Sequence, residues 1–415
     1  MAILLSNVSN ALQKVIMPYI QDNFNKQTIL LDQVKRNKGV TFMNDYFYAP
    51  IRSSRHSGIV NLANDGNSLS SGASSIGQAY VGVKILTGAF DISKLTMDAT
   101  KTAKGAVENQ LTFQASTLAS DFAKNVNRQY MDDGVGVVSQ VSSTTDATTM
   151  IMTYPTATLG DGRSVDHYGS INGDISPTEY IYPGQILGIG TAGAGTAAVA
   201  GVSGNTVTFT STIPSGGTAL APIYYVDGSG AGAGTAEIVG MRAALSTSTG
   251  TSTYAAVARS TQGWTPQVGT TSEALTLSAM EKQYLAAKKY SQVGDRYAIF
   301  MNTTLYKKYG DILTAMRRSV NATDLLGGWT GLEFAAGAGK VGVFLDYNTP
   351  DGEVLIVNLD SWTIAQVSEM GWLEDVNGSL YRRPDKITYQ ATMAWFTNLI
   401  CLAPAANGRL TQKTG

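Results

Sequence analysis

The stretch Gly188-Ile189-Gly190-Thr191-Ala192-Gly193 has the spacing of a dinucleotide turn, in which glycines let the backbone approach a pyrophosphate at a helix N-terminus. The context argues otherwise. The following AGTAAVAGVSGNTVTF reads as turn and strand, with no acidic residue about 20 positions on to take a ribose hydroxyl. With 44 glycines in 415 residues a chance match is expected, so these are read as Gly-rich β-turns. AAGAGKVG around Lys340 resembles part of a phosphate loop but lacks the Ser or Thr after the lysine and the first glycine at the required spacing. His56 and His167 have no His or Cys at metal-ligand spacing, and no G-x-S-x-G accompanies them, so neither zinc nor a nucleophilic triad is expected. Asp161 and Asp166 in DGRSVDHY could hold calcium, but two carboxylates on a Gly-rich loop are more often simply solvated. Cys401, the one cysteine, lies in the apolar run NLICLAP and is expected to be a small buried hydrophobe without a disulfide.

The segment YAIFMNTTLYKKYGDIL has the form of a reactive platform without its chemistry. Tyr297 to Met301 reads as a buried strand, and Asn302, Thr303 and Thr304 offer oxygens to cap a helix. Leu305, Tyr309, Ile312 and Leu313 then recur at helical spacing. No Cys, His, Gly-rich loop or phosphate-binding lysine sits at the junction. The densest basic spots, Arg317-Arg318 and Arg382-Arg383, are pairs rather than a nucleic-acid stripe. No catalytic, cofactor-binding or metal-ligating set is assigned, and no enzyme is expected.

The elements around these residues follow from periodicity. Residues 1–37 read as a helical arm with apolar stripes at Val8, Leu12, Val15, Ile16 and at Ile29, Leu30, Leu31, Val34. VTFMNDYFYAPIR and AYVGVKILTGAFDIS read as the two strands of a long hairpin with a polar, Gly- and Ser-rich tip around Asp65-Gly66. An isolated hairpin is marginal in water, so this one needs cover. Val107, Leu111, Ala115, Leu118, Phe122, Val126 and Tyr130 step by three or four, which predicts a helix over about 93–133, with Ser93 a cap and Gly134 a stop. Such a helix is on the order of 60 Å long. Short strands such as EYIYPGQILGIG, NTVTFTSTI and APIYYVDG predict an inserted β-subdomain over 170–239. After Trp264 the pattern becomes α/β, with a helix in LTLSAMEKQYLAAKKY, strands about the Pro350-Asp351-Gly352 turn, and an apolar strand in KITYQATMAWFTNLICLAP.

Composition narrows the class. At 43% hydrophobic residues the chain is globular, and 415 residues suffice for two or three cores. Charged residues make up 15%, against about a quarter in a typical soluble domain, and the net charge is -1. Such a polar but weakly charged surface suits burial against other subunits, and no global basic field exists to hold nucleic acid. The start MAILLSNVSNALQKV lacks a basic n-region, and no apolar run approaches the roughly 18 residues of a membrane span, so synthesis and folding in a reducing cytoplasm are expected.

The order of arm, long hairpin, very long helix, β-rich section, α/β platform and returning apolar strand resembles the major capsid protein of tailed bacteriophages, a fold shared with the herpesvirus capsid floor and with encapsulins. The likeness is closest over Leu275–Pro404, where RYAIFMNTTLYKKYGDIL leads to LGGWTGLEFAAGAGKVGVFLDYNTPDGEVLIVNLDSW and ITYQATMAWFTNLICLAP. The resemblance implies an α+β chain with an N-terminal arm at 1–38, an extended loop at 39–91, and a peripheral domain at 92–169 containing a spine helix at 93–133. It places the inserted β-subdomain at 170–239, a return to the peripheral domain at 240–269, an axial domain at 270–385, and a C-terminal strand at 386–415. It implies assembly of identical subunits as hexamers and pentamers into an icosahedral head enclosing double-stranded DNA, without sequence-specific binding, cofactor or membrane. A separate scaffolding protein, a portal and a decoration protein are the implied partners, and a virion assembled in the host bacterial cytoplasm is the implied location. Candidate intersubunit contacts are Asp65, Gly66, Asn67, Lys84, Arg317, Arg318, Arg382 and Arg383. An encapsulin-like compartment shell and a β-rich surface adhesin are the alternatives.

Overall fold

The computed structural model describes residues 30, 33–59, 61, 71–94, 104–155, 171–190, 195–214, 217–226, 237–246, 253–261, 263–291, 294–315, 323–325, 329–336, 339–374, 380–383 and 386–415. The expected arm (apart from its last residues), the hairpin tip, and the Asp161, Asp166 and His167 loop lie outside them.

The platform shows how the apolar runs sort themselves. Its seven-stranded mixed sheet has the order Gln267–Gly269, Gly408–Leu410, Val354–Asn358, Tyr297–Met301, Gly339–Leu345, Trp329–Ala336, Thr323–Leu325. Tyr297–Met301 and Val354–Asn358 are buried at every position, because the sheet is covered on both faces. Side chains alternate between two cores. Tyr297, Ile299, Met301 and Ile356 face one core, and Ala298, Phe300, Leu355 and Val357 face the other. Helices α3 (Leu277–Lys288) and α4 (Thr303–Ala315) supply the first core with Met280, Tyr284, Leu305, Tyr309 and Leu313. Helix α3 starts where Thr276 Oγ1 accepts from the Ala279 N–H at 3.2 Å.

The second core lies under helix α1 (Lys104–Met131), which buries Ala115, Ala119, Phe122, Ala123, Val126 and Tyr130 at the expected spacing. Its small residues let it approach the strand Lys84–Ser93 closely. A Cβ added to Gly88 would lie 2.9 Å from Leu118 Cδ1, so any larger residue at that crossing makes the Leu118 side chain shift. That strand pairs antiparallel along the 14-residue C-terminal strand Thr388–Cys401, from Lys84↔Thr397 to Ser93↔Thr388. The same C-terminal strand also carries Trp362–Gln366, Gly371–Trp372 and Leu380–Arg382, and Lys35–Arg36 adds in parallel to Trp362–Gln366. Leu30 and Val34 pack into this core, so the end of the arm docks on its own chain.

Three sequence expectations change in detail. The returning strand read as one piece over AYVGVKILTGAFDIS is two. Ile76–Gly82 pairs with Tyr46–Arg52, whereas Lys84–Ser93 crosses into the sheet of the C-terminal strand. The break is fixed from outside, where the Val83 N–H donates to Asp45 O at 3.0 Å and Asn398 Nδ2 donates to Gly82 O at 2.6 Å. The β-rich unit starts well before 170. It is a closed six-stranded barrel in which Val137–Thr144 and Thr149–Thr153 join Ile186–Ile189, Thr196–Ser203, Thr206–Phe209 and Pro222–Tyr225. Its inward side chains, among them Met150, Leu187, Val199, Val207 and Ile223, form a core of its own. Finally, Trp362–Arg382 belongs with the C-terminal strand, while Gly408–Leu410 belongs to the platform, so the two sheets exchange segments at residues 359–362 and 404–408.

Trp395 lies at the centre of the long strand, 1% exposed, with its ring N–H 3.3 Å from Gln366 Oε1. Trp395→Ala is expected to cost about 3–5 kcal/mol, read as a lower urea midpoint.

Candidate functional site

The junction that opens helix α4 is capped by the protein itself. Asn302 Oδ1 accepts from the Thr303 N–H at 2.7 Å, and the Asp174 carboxylate takes the N–H and hydroxyl of Thr304 at 2.9 and 2.7 Å. The helix start therefore already holds an anion, which periodicity could not foresee, because Asp174 comes from 130 residues away. Gly188 of the dinucleotide-like spacing sits on a barrel strand, where an added Cβ would lie 2.1 Å from the Tyr224 ring. Its role is to make room for that ring. Lys340 is on the strand Gly339–Leu345, opposite Ala335. Among the described residues there is no cluster of His, Cys, Asp and Glu able to hold a metal, and no helix long and apolar enough to cross a membrane.

The chemistry that is concentrated is ionic and buried. Glu353, at the start of the platform strand Val354–Asn358, lies between two arginines that are 0% exposed. Arg242 of helix α2 (Met241–Ala244) donates to its two oxygens at 3.0 and 3.3 Å, and Arg409 does so at 2.6 and 2.9 Å. Arg242 also reaches Asp132 at 3.5 Å, and Asp132 lies 3.4 Å from Arg128 of α1. Arg128 in turn bonds Glu237 and lies 4.7 Å from the ring centre of Tyr225 on the barrel, with Tyr180 at 5.8 Å. Three guanidinium groups thus meet three carboxylates along one buried chain that touches the helix, the barrel and the platform. Burial works against the Arg128 charge, but Glu237, Tyr225 and Asp132 outweigh it and hold the pKa above its usual value. Burial raises Glu237 despite the opposing pull of Arg128, and raises Tyr180 and Tyr225. Sequence reading missed this hub because, apart from the i,i+4 pair Arg128–Asp132, its carboxylate links join residues 56 to 111 apart with no shared period.

The outer surface carries a different feature. On the hairpin, Phe47, Ala49, Ile51, Ala79 and Val81 turn inward into the core under α1. The opposite face presents Tyr46, Tyr48 and Tyr80, with the ring centres of Tyr46 and Tyr48 5.3 and 5.6 Å from that of Tyr80, and Met43, opposite Tyr46, joins it, 56% exposed. The alternation Tyr-Phe-Tyr-Ala at 46–49 is the signal that could have located this aromatic face.

Asp65, Gly66, Asn67, Arg317 and Arg318 lie outside the described residues. Lys84 is half-buried opposite Thr397, its pKa lowered by burial against the raising influence of Glu237. Arg382 is exposed, opposite Tyr389. Arg383 pairs with Asp91 of its own chain at 3.4 Å. Lys84 and Arg383 are at opposite ends of the strand Lys84–Ser93, so the structure does not gather these candidates into one site.

No family model matches the chain, and no curated protein matches it in sequence. Solved structures do match. The capsid asymmetric unit of cyanophage A-1(L) superposes over 94% of this chain and 93% of its own, with a TM-score of 0.52 at 13% identity. The fold is that of a phage capsid protein. The capsid of a native GTA particle matches with a TM-score of 0.44 at 11% identity, over 92% of this chain and 90% of its own. A virus-like particle from Pyrococcus furiosus matches with a TM-score of 0.39 at 10% identity, over 96% and 98%. The fold assignment rests on the cyanophage match. Within this capsid fold the charge hub holds the barrel, the long helix and the platform together, and the hairpin carries the exposed aromatic face.

Glu353→Ala, which strands Arg242 and Arg409, is expected to cost about 3–5 kcal/mol in chemical denaturation, whereas Arg383→Ala at the half-exposed pair is expected to change stability by less than about 1 kcal/mol. Cys401, fully buried with Asn407 Nδ2 3.4 Å from its sulfur, has its thiol pushed up to about 12, chiefly by burial. It is expected to resist iodoacetamide near neutral pH while folded and to react once denatured, as read by mass spectrometry.

Proposed function

We propose that the chain is a shell-forming capsid subunit: a structural protein whose work is to abut copies of itself. The observation that carries this reading is the match to a cyanophage capsid over 94% of the chain. The aromatic hairpin face supports it, since exposed aromatic clusters are enriched where proteins meet.

In its finer form the subunits form hexamers and pentamers that close an icosahedral head of a tailed phage around double-stranded DNA. Residues 39–82 act as the extended loop, with Asp65, Gly66 and Asn67 among its contacts to neighbours, while 84–91, expected to belong to it, pair with the C-terminal strand. Helix α1 is the spine, the sheet of the C-terminal strand is peripheral, and the platform surrounds the capsomer axis, with Arg317 and Arg318 as intersubunit contacts. Lys84, Arg382 and Arg383 lie on the edges that neighbours approach. Head-to-tail contacts of this kind close into rings, and several neighbours per subunit make the shell stable by multivalency. A net charge of -1 suits a wall that encloses DNA without gripping it. Scaffolding, portal and decoration proteins are the partners on this reading, a virion assembled in the host cytoplasm is the location, and no reaction or cofactor is assigned.

Size-exclusion chromatography with electron microscopy of the purified chain tests the reading. Rings, tubes or closed particles are expected at micromolar concentration. A chain that stays monomeric across that range, alone and with co-expressed assembly partners, overturns it.

A further inference from the structure

Asp346 follows the platform strand Gly339–Leu345 and is 5% exposed. Among the described residues no cation lies within ion-pair distance of it. Amides alone hold the carboxylate. Asn127 Nδ2, from helix α1, is 3.2 Å from both oxygens, and the Asn348 N–H donates to Oδ1 at 2.8 Å. The Thr349 N–H donates to the backbone carbonyl of Asp346 at 3.2 Å, closing the same turn. On the other side of its amide, Asn127 Oδ1 is buried with no hydrogen-bond partner.

This geometry is satisfied differently in the two protonation states. Opposite an ionised carboxylate only the NH2 of Asn127 can point inward, which strands Oδ1. A buried acceptor without a donor is costly. Opposite a neutral carboxyl the amide can turn over by half a rotation, so that Oδ1 accepts the carboxyl O–H and the NH2 moves to the side that Oδ1 faced. We propose that Asp346 and Asn127 form a proton-operated latch between the platform and helix α1. One proton taken from solvent by Asp346 inverts the Asn127 amide and shifts the carboxyl's main hydrogen bond from its own loop to the helix. No covalent bond is made or broken apart from the O–H. A cleft of about 590 Å³, lined by both residues, gives water access.

The groups around the cleft do not supply a competing charge partner. From α1 come Lys124 and Arg128, and Arg128 is engaged with Glu237 and Asp132. From the barrel side come Glu179, Tyr180, Tyr182 and Tyr225, and the loop itself adds Tyr347. Burial is the largest influence on Asp346 and raises its pKa, with the amide hydrogen bonds opposing it. A carboxyl raised in the folded state makes ionisation the unfavourable form there. This contact therefore gains stability as pH falls through the raised value, the reverse of a salt-bridged carboxylate.

The test compares the full chain with Asp346→Asn, an isosteric stand-in for the neutral carboxyl. Thermal unfolding is followed between about pH 8 and about pH 4.5. Asp346→Asn is expected to be more stable at the alkaline end, by about 2 °C or more in Tm, with the gap closing in acid. Asn127→Asp places a second carboxylate there and is expected to be less stable at the alkaline end and to recover in acid. Hydrogen exchange, corrected for intrinsic rates, is expected to show the Asn348 amide losing protection in acid in the parent chain but not in Asp346→Asn. An Asp346→Asn chain that fails to fold overturns the latch. So does one less stable by the same amount at every pH, or loop protection that does not change with pH in the parent. None of these outcomes depends on whether the chain forms shells.

Discussion

Glu353 between Arg242 and Arg409 is the contact on which the arrangement of the parts depends. Removing charges from water is costly, and a buried ion pair recovers that cost only when its geometry is good and its remaining donors and acceptors are met. Here each arginine forks onto the same carboxylate with two hydrogen bonds, and the chain of charges continues through Asp132 to Arg128 and Glu237. The consequence is positional rather than simply stabilising. An apolar interface can slide by a side chain and stay apolar, whereas a forked guanidinium has one seat. The barrel, the long helix and the platform come from separate stretches of chain and meet at this line of charges, which fixes their mutual angle.

That constraint explains the contrast between inside and outside. Charged residues are only 15% of the chain, yet several are fully buried, among them Arg242, Arg409, Glu353 and Lys413. Lys413 bonds Glu273 at 2.8 Å and Thr271 O at 2.7 Å, tying the last strand to the start of the platform. The charges that remain outside are sparse, and the exposed hairpin face is aromatic. A body held rigid by internal ion pairs, with a weakly charged and partly aromatic exterior, fits a subunit that must present the same edges to every neighbour, as the shell reading requires.

Much of this was readable from sequence, and what was readable shares a cause. The platform strand Tyr297–Met301, helix α4, helix α3 and the long helix all declare themselves through a local period, because each buries a face whose spacing follows from its own backbone. The returning C-terminal strand was visible for the same reason. The errors lie where a distant segment decides. Nothing local marks Val83 as the end of one strand's sheet, since the decision is made by Asn398 and Asp45. Barrel closure depends on Val137–Thr144 choosing Pro222–Tyr225 as neighbour, a pairing across about eighty residues. The hub was invisible on both counts. An Arg or Glu in a pattern reads as solvent-facing, and only the fold shows that Arg128, Arg242 and Arg409 find carboxylates instead of water.

The hairpin shows how far the need for cover can be met at home. The hairpin was expected to need cover, and the structure gives one face of it some. Phe47, Ala49, Ile51, Ala79 and Val81 join the core beneath helix α1, and the Tyr80 N–H donates to Ala255 O at 3.0 Å. Among the described residues what is left uncovered is the other face, because a strand has two and this part of the body covers one. Burying apolar area is worth roughly 25 cal/mol per Å², so the three clustered tyrosines with Met43 retain a driving force that the described part of the chain does not use. A second strand layer from the same chain would have silenced that face. Its absence from the described topology leaves the hairpin a half-covered sheet, and a repeated subunit turns one such unsatisfied face into many identical contacts.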